Sequence, residues 1–198
     1  MINKFNLILI RHGESVWNKL NKFTGWKNIP LTNKGIYQAI NIAKLLKNKK
    51  IKIDYIFTSE LDRAIKTAKI INFKMDLNKN INCNWRLNER SYGSLEGKSR
   101  IYVKNNFYEE YLLFKNNIHA KPLISIYPDV YNRSESIVNT AERFKPLWKN
   151  KILPLLKKNK TVLIVSHKNQ IKSILYILNM DPKIDIPNCD PIMIKITK

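Results

Sequence analysis

Two short, uninterrupted apolar runs, Leu7–Ile10 and Val162–Val165, constrain this chain more than any other feature. Neither alternates apolar with polar residues, so each reads as a strand covered on both faces, the pattern of a parallel sheet between helical layers. Phe5–Ile10, Tyr55–Thr58, Asn82–Arg86, Thr161–Val165 and Pro191–Thr197 are the candidate strands. Thr32 is a good N-cap for a helix to about Lys47, with Ile36, Ala39, Ile40, Ala43 and Leu46 on one face. A second helix, about Leu61–Ile71, turns Ala64, Ile65, Ala68 and Ile71 inward. Further helices cover Ser99–Phe114 and Glu135–Leu156, the latter to be kinked or divided by Pro146 and Pro154. The helix after His167 buries Ile171, Ile174, Leu175 and Leu178. Strands alternating with helices define the α/β class, here a three-layer α/β/α sandwich with a mostly parallel central sheet. At 198 residues and 44% apolar content, without repeat or linker, residues 1–198 read as a single domain. The stretch Asn116–Asn132, broken by Pro122 and Pro128, reads as a loop and a candidate lid.

The charge is the unusual quantity. Lys and Arg number 36 against 15 acidic residues, a formal net charge of +21. Such an excess raises nucleic-acid and membrane-surface partners as questions. The lysines are spread along the chain and accompany no recognition motif, which argues against nucleic acid. No run nears the roughly 20 apolar residues of a membrane span, and Met1–Asn6 lacks the apolar stretch of a signal peptide. A cytoplasmic protein with neither partner is expected. Cys83 and Cys189 are too few and too far apart for a disulfide framework or thiolate metal site, so both are expected as free thiols.

Lys, Asn and Ile crowd the sequence as compositional drift would produce, and this makes the rare residues informative. The five glycines are Gly13, Gly25, Gly35, Gly93 and Gly97. Four fall in two segments dense in functional side chains, Arg11–Glu14 with Phe23–Trp26, and Trp85–Gly97. Five of the seven arginines, Arg11, Arg63, Arg86, Arg90 and Arg100, lie in or near the same segments. A lysine-rich chain that keeps guanidinium groups there needs planar, permanently charged anion donors.

Two of the three histidines, His12 and His167, follow the two apolar strands directly. In an open parallel sheet both emerge at the carboxyl edge, where helix N-termini also favour anions. A neutral imidazole nitrogen there can attack phosphorus, with Arg11, Arg63 and His167 offsetting the charge on the phosphoryl oxygens. Glu89 is the best candidate to protonate the leaving oxygen and later reclaim the proton, unless it merely pairs with Arg86 or Arg90. Arginines then replace a metal as the electrophilic clamp, and no metal is required. Glu14 reads as a stabiliser of the helix start after Gly13. Trp17, Trp26 and Trp85 read as walls and core, and His119 receives no role.

Arg11-His12-Gly13-Glu14-Ser15 resembles the signature of the histidine phosphatase superfamily. The run from Arg11 through Trp17-Asn18, Asn21, Phe23–Trp26, Pro30-Leu31 and Gly35 is similar to the cofactor-dependent phosphoglycerate mutases. So is Trp85–Arg90 with Tyr92-Gly93, Leu95 and Gly97. The resemblance implies interconversion of 3- and 2-phosphoglycerate in glycolysis, primed by 2,3-bisphosphoglycerate. It implies His12 as the phosphorylated nucleophile, Glu89 as proton donor and acceptor, and Arg11, Arg63 and His167 around the transferring group. Asn18, Thr24, Gly25, Tyr92 and Asn169 would line the phosphate and substrate sites, with Arg100 where the family generally has lysine. Its paired substrate-gripping arginines align with Lys115-Asn116, and both of these positions are expected at the substrate. The family's dimers and tetramers make a homo-oligomer an expectation. Three departures bear on substrate grip and water exclusion: Lys168 in place of glycine, Lys115-Asn116 in place of the arginines, and a shortened segment at Lys121–Ser134. Ser91 also replaces a larger basic residue. The same chemistry with water admitted is a phosphomonoester phosphatase, the alternative reading.

Overall fold

The computed structural model describes residues 5–122 and 134–196. In chain order the elements are β1 (Leu7–Arg11), α1 (Val16–Lys19), α2 (Asn33–Asn48), β2 (Tyr55–Thr58), α3 (Asp62–Lys74) and β3 (Ile81–Cys83). Two short 3-10 turns, Trp85–Leu87 and Gly93–Leu95, lead to α4 (Arg100–Asn106) and α5 (Tyr108–Asn116). After the undescribed segment come α6 (Ile137–Leu147), a π turn (Trp148–Ile152), α7 (Leu153–Lys157), β4 (Val162–Ser166), α8 (Lys168–Ile177) and β5 (Pro191–Ile194).

The strands form one sheet in the order β3-β2-β4-β1-β5, with only β5 antiparallel to its neighbour. The two apolar runs are therefore adjacent, Leu7 to Arg11 lying beside Val162 to Ser166 in register. Side chains alternate across the sheet. Ile8, Ile10, Ile56, Leu163 and Val165 pack against Ala39, Ala43 and Leu46 of α2 and Ala64, Ala68 and Ile71 of α3. Leu7, Leu9, Phe57, Val162 and Ile164 face Phe144 and Leu147 of α6 and Ile171, Ile174 and Leu175 of α8. The result is the expected α/β/α sandwich with a mostly parallel sheet. Each of the Val, Leu, Ile and Phe side chains among these, withdrawn from water, contributes about 2 kcal/mol. A third cluster, Phe23, Tyr92, Leu95, Val103 and Phe114, lies outside the two sheet faces.

Several local expectations need correction. Residues 82–86 do not form one strand: pairing stops at Cys83, and Asn84 caps a 3-10 turn by accepting from the Arg86 N–H. Residues 99–114 form two helices, because Phe107 leaves helical geometry at φ −144° and ψ 56°. The stretch 135–156 is divided as expected, at Pro154 but not at Pro146, which lies inside α6. Pro154 has no N–H for the Asn150 carbonyl, and the chain widens into a π turn whose Leu153 N–H reaches the Trp148 carbonyl. In α2 it is Ile42, with Ala39, Ala43 and Leu46, that is buried, while Ile36 and Ile40 are only half-buried; in α3 Thr67 takes the place assigned to Ile65. Leu178 stays half-buried past the end of α8, and β5 stops at Ile194. The candidate lid falls in large part on residues 123–133, outside the described residues.

Candidate active site

The carboxyl edge of the sheet opens into a cavity of about 670 Å³. Of the site residues expected from sequence, Arg11, His12, Asn18, Thr24, Gly25, Arg63, Glu89 and Tyr92 line it, as do Arg100, Lys115, Asn116 and Asn169. His167 does not. It is fully buried, packed edge-on against His12 with ring centroids 4.9 Å apart.

His12 arrives at the end of β1, where its N–H bonds the Ser166 carbonyl across the parallel pair. Its Nδ1 lies 2.6 Å from the Gly13 carbonyl, and its Nε2 lies 3.3 Å from the Nε of Arg63. A carbonyl can only accept and a guanidinium only donate, so the two contacts assign one tautomer, with the proton on Nδ1 and the lone pair on Nε2. Burial, then Arg63 and Arg11, push the His12 pKa well below 6.5, against the pull of the Gly13 carbonyl. The imidazole is thus held neutral with its nucleophilic lone pair on Nε2, where it accepts from Arg63.

Arg63 sits in the first turn of α3 and is 1% exposed. Its Nη1 and Nη2 donate to the carbonyls of Lys27 and Gly25, each at 2.8 Å. Burial lowers its pKa to about 10, with Glu89 and Glu96 working the other way. It remains a cation at neutral pH. Gly25 adopts φ +52°, and a Cβ there would collide with the Glu96 carboxylate. Arg11 is anchored by one Nη1 bond, 2.9 Å to the Ile186 carbonyl, while its Nε is buried without a partner. Arg90 Nε and Thr24 Oγ1 are likewise buried and unpaired.

Glu89 makes no ion pair with Arg86 or Arg90 among the described residues. Its Oε1 accepts from the backbone N–H of Arg90 at 2.8 Å and of Asn169 at 3.1 Å, the latter in the first turn of α8. Asn169 Nδ2 donates to the Tyr92 hydroxyl at 2.8 Å. Burial acts to raise the Tyr92 pKa, but Arg90 and Arg100 outweigh it and leave the phenol below its ordinary value. The Arg100 guanidinium stacks 4.3 Å from the Phe23 ring centroid.

The departures from the family pattern have definite places. Lys168 lines the cavity, yet its Nζ pairs with Asp185 at 2.6 Å, so much of its charge is answered. Lys115 and Asn116 sit on the wall at the end of α5. Glu14 bonds Thr32 and pairs with Lys34, so it braces the start of α2 and not the helix that follows Gly13. Trp26 and Trp85, expected as walls and core, are each 39% exposed, pack against each other and do not line the cavity.

Sequence reasoning left four contributors unassigned. Arg90 is 3% exposed, lines the cavity and stacks on Tyr92 and Phe114. Its signal was present, since it belongs to the retained arginines and adjoins Glu89. Asn188 donates to the His12 carbonyl at 2.6 Å, and Lys172 lines the wall. Ser59 lies 2.8 Å from His167 Nε2. These three rest on tertiary proximity with no local pattern.

Among the described residues no group of three or more His, Cys, Asp or Glu is placed to hold a metal ion, and no helix is long and apolar enough to cross a membrane. Cys83 and Cys189 are free thiols, and burial pushes the Cys189 thiol up to about 12.

Residues 7–196 match the model of the histidine phosphatase superfamily, branch 1. A 2,3-bisphosphoglycerate-dependent phosphoglycerate mutase from Buchnera aphidicola subsp. Schizaphis graminum is 38% identical over 97% of this chain and 94% of its own length. One of the same name from Bifidobacterium longum (strain DJO10A) is 36% identical over 97% and 86%. A mycobacterial glucosyl-3-phosphoglycerate phosphatase solved with VO3 superposes with a TM-score of 0.81 over 94% of this chain and 90% of that one, at 21% identity, a likeness of fold. The chain belongs to the histidine phosphatase superfamily and, within it, to the 2,3-bisphosphoglycerate-dependent phosphoglycerate mutase family.

Proposed function

We propose that this single-domain chain interconverts 3- and 2-phosphoglycerate through a phosphohistidine on His12. The observation that carries the reading is a nucleophile of assigned tautomer in a cavity whose other lining residues carry buried, unpaired polar groups: Arg11 Nε, Arg90 Nε and Thr24 Oγ1. Buried polar groups are ordinarily satisfied, and donors left open on a cavity wall fit an anion that completes them. The relatives' name supports the substrate.

These donors fit 2,3-bisphosphoglycerate, which supplies the phosphoryl group that primes the enzyme. His12 Nε2 takes the phosphoryl group as the P–O bond to the sugar-acid oxygen breaks. Glu89 delivers a proton to that oxygen. Arg11 and Arg63 counter charge on the equatorial oxygens, while Arg90, Arg100 and Lys115 hold the substrate's remaining anionic groups. In the return step Glu89 removes the proton from the neighbouring hydroxyl, which attacks phosphorus and frees His12. Because Glu89 Oε1 is gripped by two backbone N–H groups, its other oxygen is left for this exchange. Asn18, Thr24, Gly25, Tyr92, Asn116 and Asn169 shape the same site. The glycolytic reaction places the protein in the cytoplasm, and a homo-oligomer is in keeping with the family.

Asn116, in the place of a guanidinium, favours a second reading: a looser grip admits water, and hydrolysis of the phosphoenzyme makes a phosphatase. One assay decides. Conversion of 3-phosphoglycerate is followed with and without 2,3-bisphosphoglycerate while released phosphate is measured. Bisphosphate-stimulated isomerisation is the expected result; phosphate release without isomerisation would overturn it in favour of the hydrolase.

A further inference from the structure

His167 has one ring nitrogen with a partner and one without. Nε2 lies 2.8 Å from Ser59 Oγ, while Nδ1 is buried with no hydrogen-bond partner. The proximity follows from the sheet. β2 pairs with β4 so that Thr58 lies beside Val165. Ser59 follows Thr58 directly, and His167 follows Val165 by two residues, so both leave the sheet at the same edge.

We infer that Ser59 is a positioning residue: its hydroxyl donates to His167 Nε2, holds the ring as the Nδ1–H tautomer, and so presents a neutral N–H to the phosphoryl group carried on His12. The inference rests on the phosphohistidine reading for the identity of the acceptor, but not for the tautomer. Ser59 is fully buried and its Oγ already accepts from the Leu61 N–H at 3.2 Å. Among the described residues His167 Nε2 is the one acceptor its proton has. The opposite tautomer would strand that proton in a buried place. An imidazolium would add a cation where Arg63, Arg11 and Arg143 already act on the ring, with His12 beside it and no carboxylate among the dominant influences. A neutral, fixed N–H donor is the form that all of these contacts tolerate.

The test is ¹⁵N NMR of the full chain with labelled histidine, using orthovanadate as the phosphoryl probe. The wild type is expected to show a pyrrole-type Nδ1 and a pyridine-type Nε2 for His167, with the Nδ1 signal moving when vanadate is added. Ser59→Ala should mix the tautomers and shift the acid limb of the pH–rate profile to higher pH, because the lost bond favoured the neutral ring. It should also lower kcat about tenfold with KM little changed, and Ser59→Thr should restore both tautomer and rate. A pyridine-type Nδ1 in the wild type would overturn the inference, and so would a Ser59→Ala protein with unaltered tautomer and acid limb. The wild-type spectrum stands even if a variant misfolds. Should His12 take up no acid-labile phosphate while His167 still shows the Nδ1–H form, the phosphohistidine reading fails and the action of Ser59 on the ring stands.

Discussion

The Nε of Arg63 points at the Nε2 of His12 across 3.3 Å, while both of its Nη atoms are held by backbone carbonyls. The guanidinium is therefore fixed before any substrate arrives, and its Nε–H faces the atom that would carry the phosphoryl group. Lysine cannot satisfy two carbonyls and a third acceptor from one ammonium without giving up that geometry. Arg63→Lys is expected to lower kcat by roughly 10² to 10³, read by steady-state turnover alongside acid-labile labelling of His12. A variant within threefold of wild type would remove Arg63 from the clamp.

Glu89→Gln separates proton transfer from structure. The amide oxygen can still accept from the N–H groups of Arg90 and Asn169 that hold Glu89 Oε1. Thermal stability should change little, while turnover drops by about 10² to 10⁴, the usual worth of general acid–base catalysis. Melting curves and turnover on the same preparation check both halves. Near-normal turnover would return Glu89 to a purely structural role.

Gly13 follows the nucleophile and lies against the first turn of α2, where an added Cβ would run into the Gly35 carbonyl oxygen. Backbone cannot yield as a flexible side chain would. Gly13→Ala is expected to destabilise the fold by about 1–3 kcal/mol and to displace His12, so that activity falls by more than the stability loss explains. Urea unfolding compared with turnover far below the midpoint measures the two separately.

Acid should weaken the protein through its two site histidines. Burial, followed by Arg63 and other cations, holds both His12 and His167 well below the ordinary 6.5. The folded state thus binds fewer protons than the unfolded chain between the depressed pKa values and 6.5. Stability is full above that window and falls as pH drops through it, by up to about 1.4 kcal/mol per pH unit for each histidine. Urea midpoints at pH 7.5 and 5.5 should show the decline, and His12→Gln should reduce the slope. A flat profile in the wild type would contradict the buried, uncharged state of the pair.

The sheet was legible because Leu7–Ile10 and Val162–Val165 allow few alternatives: strand length, apolar on both faces, each followed by a histidine. The cavity wall was legible because drift towards lysine left arginine and glycine where geometry demanded them. What escaped was held by contact across the fold. Ser59 and Asn188 belong to no local pattern, and only the β2–β4 pairing and the fold-back of residues 185–189 bring them to the histidines. His167 was expected on the cavity wall but is fully buried against the edge of His12, a depth that no periodicity encodes. The helix boundaries failed where a single residue decides, at Phe107 with its non-helical backbone.

The adjacency of β1 and β4 has a consequence for how the protein is made. The strand that carries His12 pairs with Val162–Ser166, which is distant in the chain and is made long after it. Until then the Ser166 carbonyl that receives the His12 N–H does not exist, and His12 has no His167 ring against its edge. A chain cut short before Val162 would therefore lack both contacts that order the His12 ring and backbone.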